Sequence, residues 1–489
     1  MTRPARSSSD LHPIGLAIVA ITLGLLIALL PIQYSAALLA GAVVVGLAVW
    51  KPAVGLGCAI ILGPTRAYLA ALGYYGPLYD LGQIFFALAF AGWLAQGALQ
   101  REIIVPRLGV LLPLSAYLFV GLVSLFGAEA WEEGLNEAIK WIEVVVTLII
   151  TLSEAKHGRL KWIVGAIVLS GVLQAGLGLW QYGRGAGPES FQLPSGFYRA
   201  YGTFEQPNPF GGFLGLIWPI AAGLALQRMK DEVGRMKWTL RWCSAFILHP
   251  SSFCLLASVF VLAGLYVSFS RGGWLGAAAA GLVMALFLPH RLRWGIGLVA
   301  AALAGGGLMI GSGVLPASLI ERLANVGDFL NVVDVRGVNI NDANFAIVER
   351  LAHWQAALEM IRAHPWLGVG WGNYVARYPD FSLINWPFHL GHAHNIYLHT
   401  WAEMGLLGLA AYLALWATVI ALTVRTIRQT SGLQRGLALG LLGVWAHLLA
   451  HQIVDNLHVN NNDLLLAAQL GVLCALDQGY AFRRSLSRT

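Results

Sequence analysis

The stretch KWIVGAIVLSGVLQAGLGLWQY, residues 161–182, carries one charge, at Lys161, and is otherwise an almost unbroken apolar run. Its apolar residues neither alternate with period two nor gather on one narrow helical stripe. A helix that is apolar all round has no face to offer water and lies in lipid; roughly 20 such residues cross the hydrocarbon core. The same texture recurs along the 489 residues, which are 57% hydrophobic and only 11% charged, with mean hydropathy +0.67. A soluble chain has about 25% charged residues, so this one could not cover a water-facing surface.

Working outward from 161–182, the chain reads as about fourteen spans, near 14–30, 34–50, 53–72, 80–98, 107–126, 138–153, 161–182, 209–227, 252–269, 273–288, 294–313, 403–424, 436–454 and 463–480. The expected fold is all-α, a single integral membrane domain over 1–489. Arg3 and Arg6 ahead of the Ile14–Leu30 run resemble the start of a signal peptide, but the next apolar block follows at once, so an uncleaved first span is expected. The four cysteines lie in or beside apolar segments without CxxC spacing and read as small hydrophobes.

The loops test this layout. With a cytoplasmic N-terminus, the inside loops hold Lys51, Arg101, Arg107, Lys156, Arg159, Lys161, Arg228, Lys230, Arg291, Arg293, Arg425 and Arg428. The outside loops hold Asp80, the acidic group Glu129 to Glu137, and the long segments 183–208 and 314–402. This alternation follows the positive-inside rule and places both termini in the cytoplasm. It also explains the net charge of +7 without a nucleic-acid partner. Segment 314–402 is the sizeable extramembrane part. Within it Ala346 to Ala363 reads as an amphipathic helix with Val348, Leu351, Trp354, Leu358 and Ile361 on one face, stopped by His364-Pro365 and followed by a flexible turn, Gly368-Val-Gly-Trp-Gly372.

Chemistry is sought among ionisable residues in spans and on the outer side. Arg66 and Glu143 fall within spans and read as internal polar contacts. Arg271, in Ser268-Phe-Ser-Arg-Gly-Gly-Trp274, sits in a tight outer turn, where it is an interfacial anchor or a fixed charge for an anion. Arg350 and Arg199 are further outer arginines, and the guanidinium fork suits phosphate oxygens. The densest cluster is His389, His392, His394, Asn395, His399 and Glu403. Its spacing matches no standard zinc signature, so no metal is expected. If Asn395 caps the following helix, then Asn395, His399 and Glu403 share one stripe. His394 then stands just before it, where a neutral imidazole can act as a base. Interfacial polar capping is the alternative for these histidines.

Three segments together resemble the O-antigen ligase and O-antigen polymerase superfamily of bacterial envelope glycosyltransferases. They are Gly202-Thr-Phe-Glu-Gln-Pro-Asn-Pro209, the turn Ser270-Arg-Gly272, and the run from Arg350 through Trp354, Pro365 and Gly368-Val-Gly370 to His392-Ala-His-Asn395 and Glu403-Met-Gly-Leu-Leu-Gly408. The resemblance covers roughly residues 160–425. It implies transfer of a glycan from undecaprenyl diphosphate to an acceptor hydroxyl at the periplasmic face of the inner membrane, with inversion and without metal or other cofactor. On that implication Arg271 and Arg350 hold the diphosphate and His394 deprotonates the acceptor, with His392 as rival base. Arg199, Asn208, Asn395 and Glu403 shape the binding site. The acceptor is a lipid A–core or a growing glycan. A lipid or polysaccharide transporter is the reading from another class; it would need polar groups lining a midplane path between two repeats.

Overall fold

The computed structural model describes residues 32–101, 107–193, 195–235, 250–314, 334–341 and 344–480; the expected span 14–30 lies outside them. The architecture is all-α. Among the described residues, sixteen α-helices run in the order α1 (Ile32–Trp50), α2 (Pro52–Leu62), α3 (Thr65–Ala71), α4 (Leu81–Gln100), α5 (Leu108–Ser124), α6 (Trp131–Lys156), α7 (Leu160–Arg184), α8 (Pro207–Arg235), α9 (Pro250–Val267), α10 (Arg271–Phe287), α11 (Leu292–Gly311), α12 (Phe345–Ala363), α13 (Tyr374–Phe381), α14 (Ile396–Gln429), α15 (Gly432–His451) and α16 (Asn462–Asp477).

The expected fourteen spans are not supported. Among the described residues, seven helices are long and apolar enough to cross a membrane, or eight if the pair α2 and α3, bent by 41°, is one span. The difference has physical causes. The run 138–153 belongs to α6, a 26-residue helix carrying Lys140 and Glu143 within its apolar part. Helices α9 and α10 and the 40–50 part of α1 are short apolar helices, and α16 has 16 residues. The run 403–424 is the later part of α14, which starts earlier, at Ile396.

Helix α8 lies at the centre: 83% of its apolar window is buried, against 6% for α11 at the periphery. It packs on α15 with backbones touching, because Gly223 faces the Gly436 carbonyl and Gly440. Small residues permit this approach where lipid gives no hydrophobic drive between helices. Arg66 and Glu143 do not pair with each other. Arg66 meets Asp80 at 3.3 Å, and Glu143 accepts from Gln83 Nε2 at 2.9 Å.

The glycine run after α12 is a docked clasp, not a flexible turn. Helix α14 breaks at Gly405 (φ 66°), which frees carbonyls around the break. The loop takes them up: Val369 N–H donates to Ala402 O and Gly370 N–H to Glu403 O, both at 2.9 Å, while Leu406 N–H donates to Pro365 O. Gly370 has φ 106°, and a Cβ there would stand 2.6 Å from the Ala128 Cβ. Gly370→Ala is therefore expected to destabilise the protein by about 1–3 kcal/mol, from overpacking and a disfavoured φ. A thermal-unfolding midpoint in detergent equal to that of the unmodified chain would contradict the clasp.

The helix expected at 346–363 is α12. Val348, Leu351 and Ile361 are buried as expected, together with Ala352, Ala356, Ala357 and Met360; Leu358 faces outward. Its Ala356, Ala357, Met360 and Ile361 pack with Val369, Tyr374, Tyr378, Ala393 and Ala402, which seats the 345–402 segment on the start of α14.

Candidate active site

Helix α14 begins where the sequence suggests. The Asn395 side chain accepts from the backbone N–H of Tyr397 and Leu398, both at 3.0 Å, and so caps the helix. This leaves His394 immediately before the first turn, with φ 52°, a region that non-glycine residues seldom occupy. Such local strain persists only where its surroundings over-determine it. They do so here. The His394 carbonyl accepts from Trp354 Nε1, and Ile396 N–H donates to Gln452 O at 3.0 Å.

The partner of His394 lies 61 residues further on. His394 Nδ1 is 3.3 Å from Oδ1 of Asp455, a buried residue just past α15. Burial would raise the Asp455 carboxyl, but the hydrogen bond from His394, with the nearby Arg350 charge, holds it well below the usual carboxylate range. An ionised carboxylate only accepts, so in the neutral His394 ring the proton sits on Nδ1 and the lone pair on Nε2. That Nε2 has no hydrogen-bond partner and is enclosed.

His392 is arranged differently. Its Nδ1 accepts from the backbone N–H of His394 at 3.0 Å. Its ring proton therefore belongs on Nε2, 4.0 Å from Asp455 Oδ1. Burial, with His394 adding to it, pushes His392 well below its ordinary range. His392, His394 and Asp455 have ligand atoms within 4.8 Å of one another, close enough to consider a metal ion. The donor set fits one poorly. A His392 Nε2 bound to metal needs its proton on Nδ1, and Nδ1 is already an acceptor.

A histidine held low binds its proton in the unfolded chain first. Stability is then present above the unfolded value, near about 6.5, and is lost as the pH falls below it. The protein is expected to lose thermal stability on acidification through that window. His392→Asn, which keeps an acceptor for the His394 N–H, should flatten the loss; an unchanged slope would show that His392 does not contribute.

The arginines arrive from three directions. Ser270 caps α10 through its hydroxyl, which accepts from Gly273 N–H at 3.1 Å, so Arg271 is the first residue of that helix. The same turn is pinned by Arg199, whose Nε donates to Ser268 O at 3.1 Å and whose Nη2 donates to Asn208 Oδ1 at 2.8 Å. Gly272, next to Arg271, abuts the ring of His451, and His451 Nε2 is 3.9 Å from Asp455 Oδ2. Arg350, on α12, acts on Asp455 and Glu349 through its charge. The structure thus gathers the Arg271 turn, Arg350, His392 and His394 around Asp455. Glu403 stands apart from this group. It is buried, and its two carboxylate oxygens accept from Gly372 N–H and Tyr374 N–H at 3.0 and 2.9 Å. It secures the glycine clasp, and His399 Nε2 lies 3.6 Å from it.

Sequence reading missed Asp455, His451 and His447. A signal was present: the three recur at four-residue steps at the end of an otherwise apolar run. Neutral histidines do not register in a count of charges, and Asp455 falls beyond every motif of the resemblance.

The fold defines a polytopic helical membrane protein, in which His392, His394 and His451 lie close to the buried Asp455. Residues 256–413, which include Arg271, Arg350, His394 and the clasp, match the family model described as O-antigen ligase (Wzy_C). The resemblance read in the sequence holds over that segment, and the match implies activity of the O-antigen ligase or polymerase type. No curated protein matches the chain.

Proposed function

We propose that this protein is a glycosyltransferase that moves a glycan from undecaprenyl diphosphate to an acceptor hydroxyl, in the manner of an O-antigen ligase. The observation that carries the reading is the His394–Asp455 pair. Asp455 fixes the tautomer that leaves the His394 Nε2 lone pair available, and His394 takes the acceptor proton as the oxygen attacks the sugar carbon. Arg271 and Arg350 neutralise the charge that grows on the departing diphosphate. Direct attack without a protein nucleophile inverts the anomeric centre. His392, whose Nδ1 is already engaged, supports the base without replacing it. Arg199 and Asn208 brace the Arg271 turn, Asn395 seats His394, and Glu403 holds the cover in place. The active end faces the periplasm and the termini the cytoplasm, by the charge pattern of the loops.

A polymerase shares this donor chemistry and differs in acceptor. Purified protein in liposomes, given lipid-linked glycan and separately lipid A–core or further lipid-linked glycan, distinguishes them by product. Transfer in excess chelator is expected to match the untreated rate. Loss of activity that a divalent ion restores would overturn the metal-independent mechanism, and absence of transfer to any acceptor would overturn the function itself.

A further inference from the structure

Two buried histidines lie behind the proposed base without a part in the reaction described so far. His447 and His451 occupy successive turns of α15 and are 0% and 1% exposed. Their rings sit in sockets formed by glycines on both flanking helices. Gly212 on α8 and Gly272 on α10 face His451; a Cβ on Gly272 would stand 2.6 Å from its Nε2. Gly215 and Gly276 face His447 in the same way. A larger residue at Gly215, Gly272 or Gly276 would take the space of an imidazole, and one at Gly212 would meet Leu457 first, so the packing is built around the rings.

The rings form a line. His447 Nε2 is 3.4 Å from His451 Nδ1, His451 Nε2 is 3.9 Å from Asp455 Oδ2, and Asp455 Oδ1 is 3.3 Å from His394 Nδ1. His451 Nε2 is buried and makes no hydrogen bond of its own. Each neutral imidazole offers one donor and one acceptor nitrogen, and a carboxylate offers only acceptors. The direction of the line follows. The Asp455 charge favours the His451 tautomer with its proton on Nε2, which faces Oδ2 at 3.9 Å, beyond hydrogen-bond distance; His451 Nδ1 then accepts from His447 Nε2–H, and His394 Nδ1–H donates to Asp455 Oδ1. The polarity ends at the lone pair on His394 Nε2.

We infer that His451, backed by His447, is a positioning residue that orients Asp455 and thereby fixes the tautomer of His394. Asp455 Oδ1 also accepts from Asn456 N–H at 2.9 Å, so His451 acts by the dipole that it turns toward Oδ2; without that dipole the carboxylate is held at one oxygen only, and the His394 imidazole can carry its proton on Nε2, where it is useless as a base. The inference rests on the reading of His394 as the base.

The test compares His451→Phe, which fills the glycine socket without a donor, with His451→Gln, which retains one. In the liposome transfer assay His451→Phe is expected to lower kcat on the order of 10–100-fold, the scale for partners that orient a functional histidine. KM for the lipid-linked donor should stay within about twofold, and His451→Gln should recover most of the rate. In an Asp455→Asn background the Phe substitution should change the residual rate by less than about twofold, because its effect passes through Asp455. Equal losses in both backgrounds, or a Gln variant as impaired as Phe, would overturn the inference. A second readout needs no activity. With ¹⁵N-labelled histidine, the His394 signal, assigned by its loss in His394→Gln, should report Nδ1–H in the unmodified protein and a shift toward Nε2–H in His451→Phe. An unchanged His394 tautomer overturns the proposal. Should the unmodified protein transfer no glycan, the proposed function falls, and this tautomer alone then decides whether the line positions His394.

Discussion

Asp455→Asn is expected to lower glycan transfer by roughly 10²–10⁴-fold while the protein remains folded in the membrane, matching the loss from His394→Ala. The carboxylate accepts from His394 Nδ1 at 3.3 Å. An asparagine that turns its amide toward the ring donates where the carboxylate accepted. His394 must then present a lone pair at Nδ1 and carry its proton on Nε2, the nitrogen that should receive the acceptor proton. The two substitutions act on one unit, so the double variant should be little worse than either alone. Rates are to be measured with purified protein, lipid-linked glycan and acceptor, beside thermal unfolding in detergent. Near-normal transfer by Asp455→Asn would remove the pair from the mechanism. Asp455 lies outside residues 256–413, so the experiment also asks whether the site extends beyond the matched segment.

Arg271→Ala and Arg350→Ala should each reduce transfer by about 10²–10³-fold, the scale of losing one preorganised group at a developing anion. The two variants differ in what surrounds the lost charge. Arg271 opens α10 beside Gly272, in the turn braced by Arg199 and Asn208. Arg350 belongs to α12 in the 345–402 segment, and its charge also helps to keep Asp455 ionised. Arg350→Lys should therefore retain more activity than Arg271→Lys if Arg350 acts mainly as a charge and Arg271 mainly as a fork. Full activity in either alanine variant would exclude that arginine from leaving-group stabilisation.

The sequence carried more of the site's ingredients than of its connections. Helical caps are local, so Asn395 after His394 was legible as a helix start, whereas Ser270 before Arg271 read only as part of a tight turn and proved to be a cap. The R…W…P…G-x-G…H-x-H-N…E-x-G order was legible too, but its meaning was mixed. Part of it belongs to the proposed chemistry, at Arg350 and His394. Part is mechanical: Gly368, Gly370, Glu403 and Gly405 close a backbone clasp across the break in α14. The span count was overstated because hydropathy treats each apolar run alike. It does not register that α6 carries Lys140 and Glu143 within its apolar part, or that α9, α10 and α16 are short helices.

By itself, the sequence determined the class. A chain with 11% charged residues and apolar blocks of this length must place its helices in lipid, since nothing else can satisfy both its surface and its backbone. It also named the arginines and the histidine cluster. Tertiary structure alone decided which histidine has a free nitrogen. That choice depends on where a hydrogen-bond donor meets a carboxylate 61 residues away, and on two histidines set into glycine sockets from α8 and α10. Hydropathy and spacing are properties of one stretch of chain; the proton on His394 is set by contacts between several.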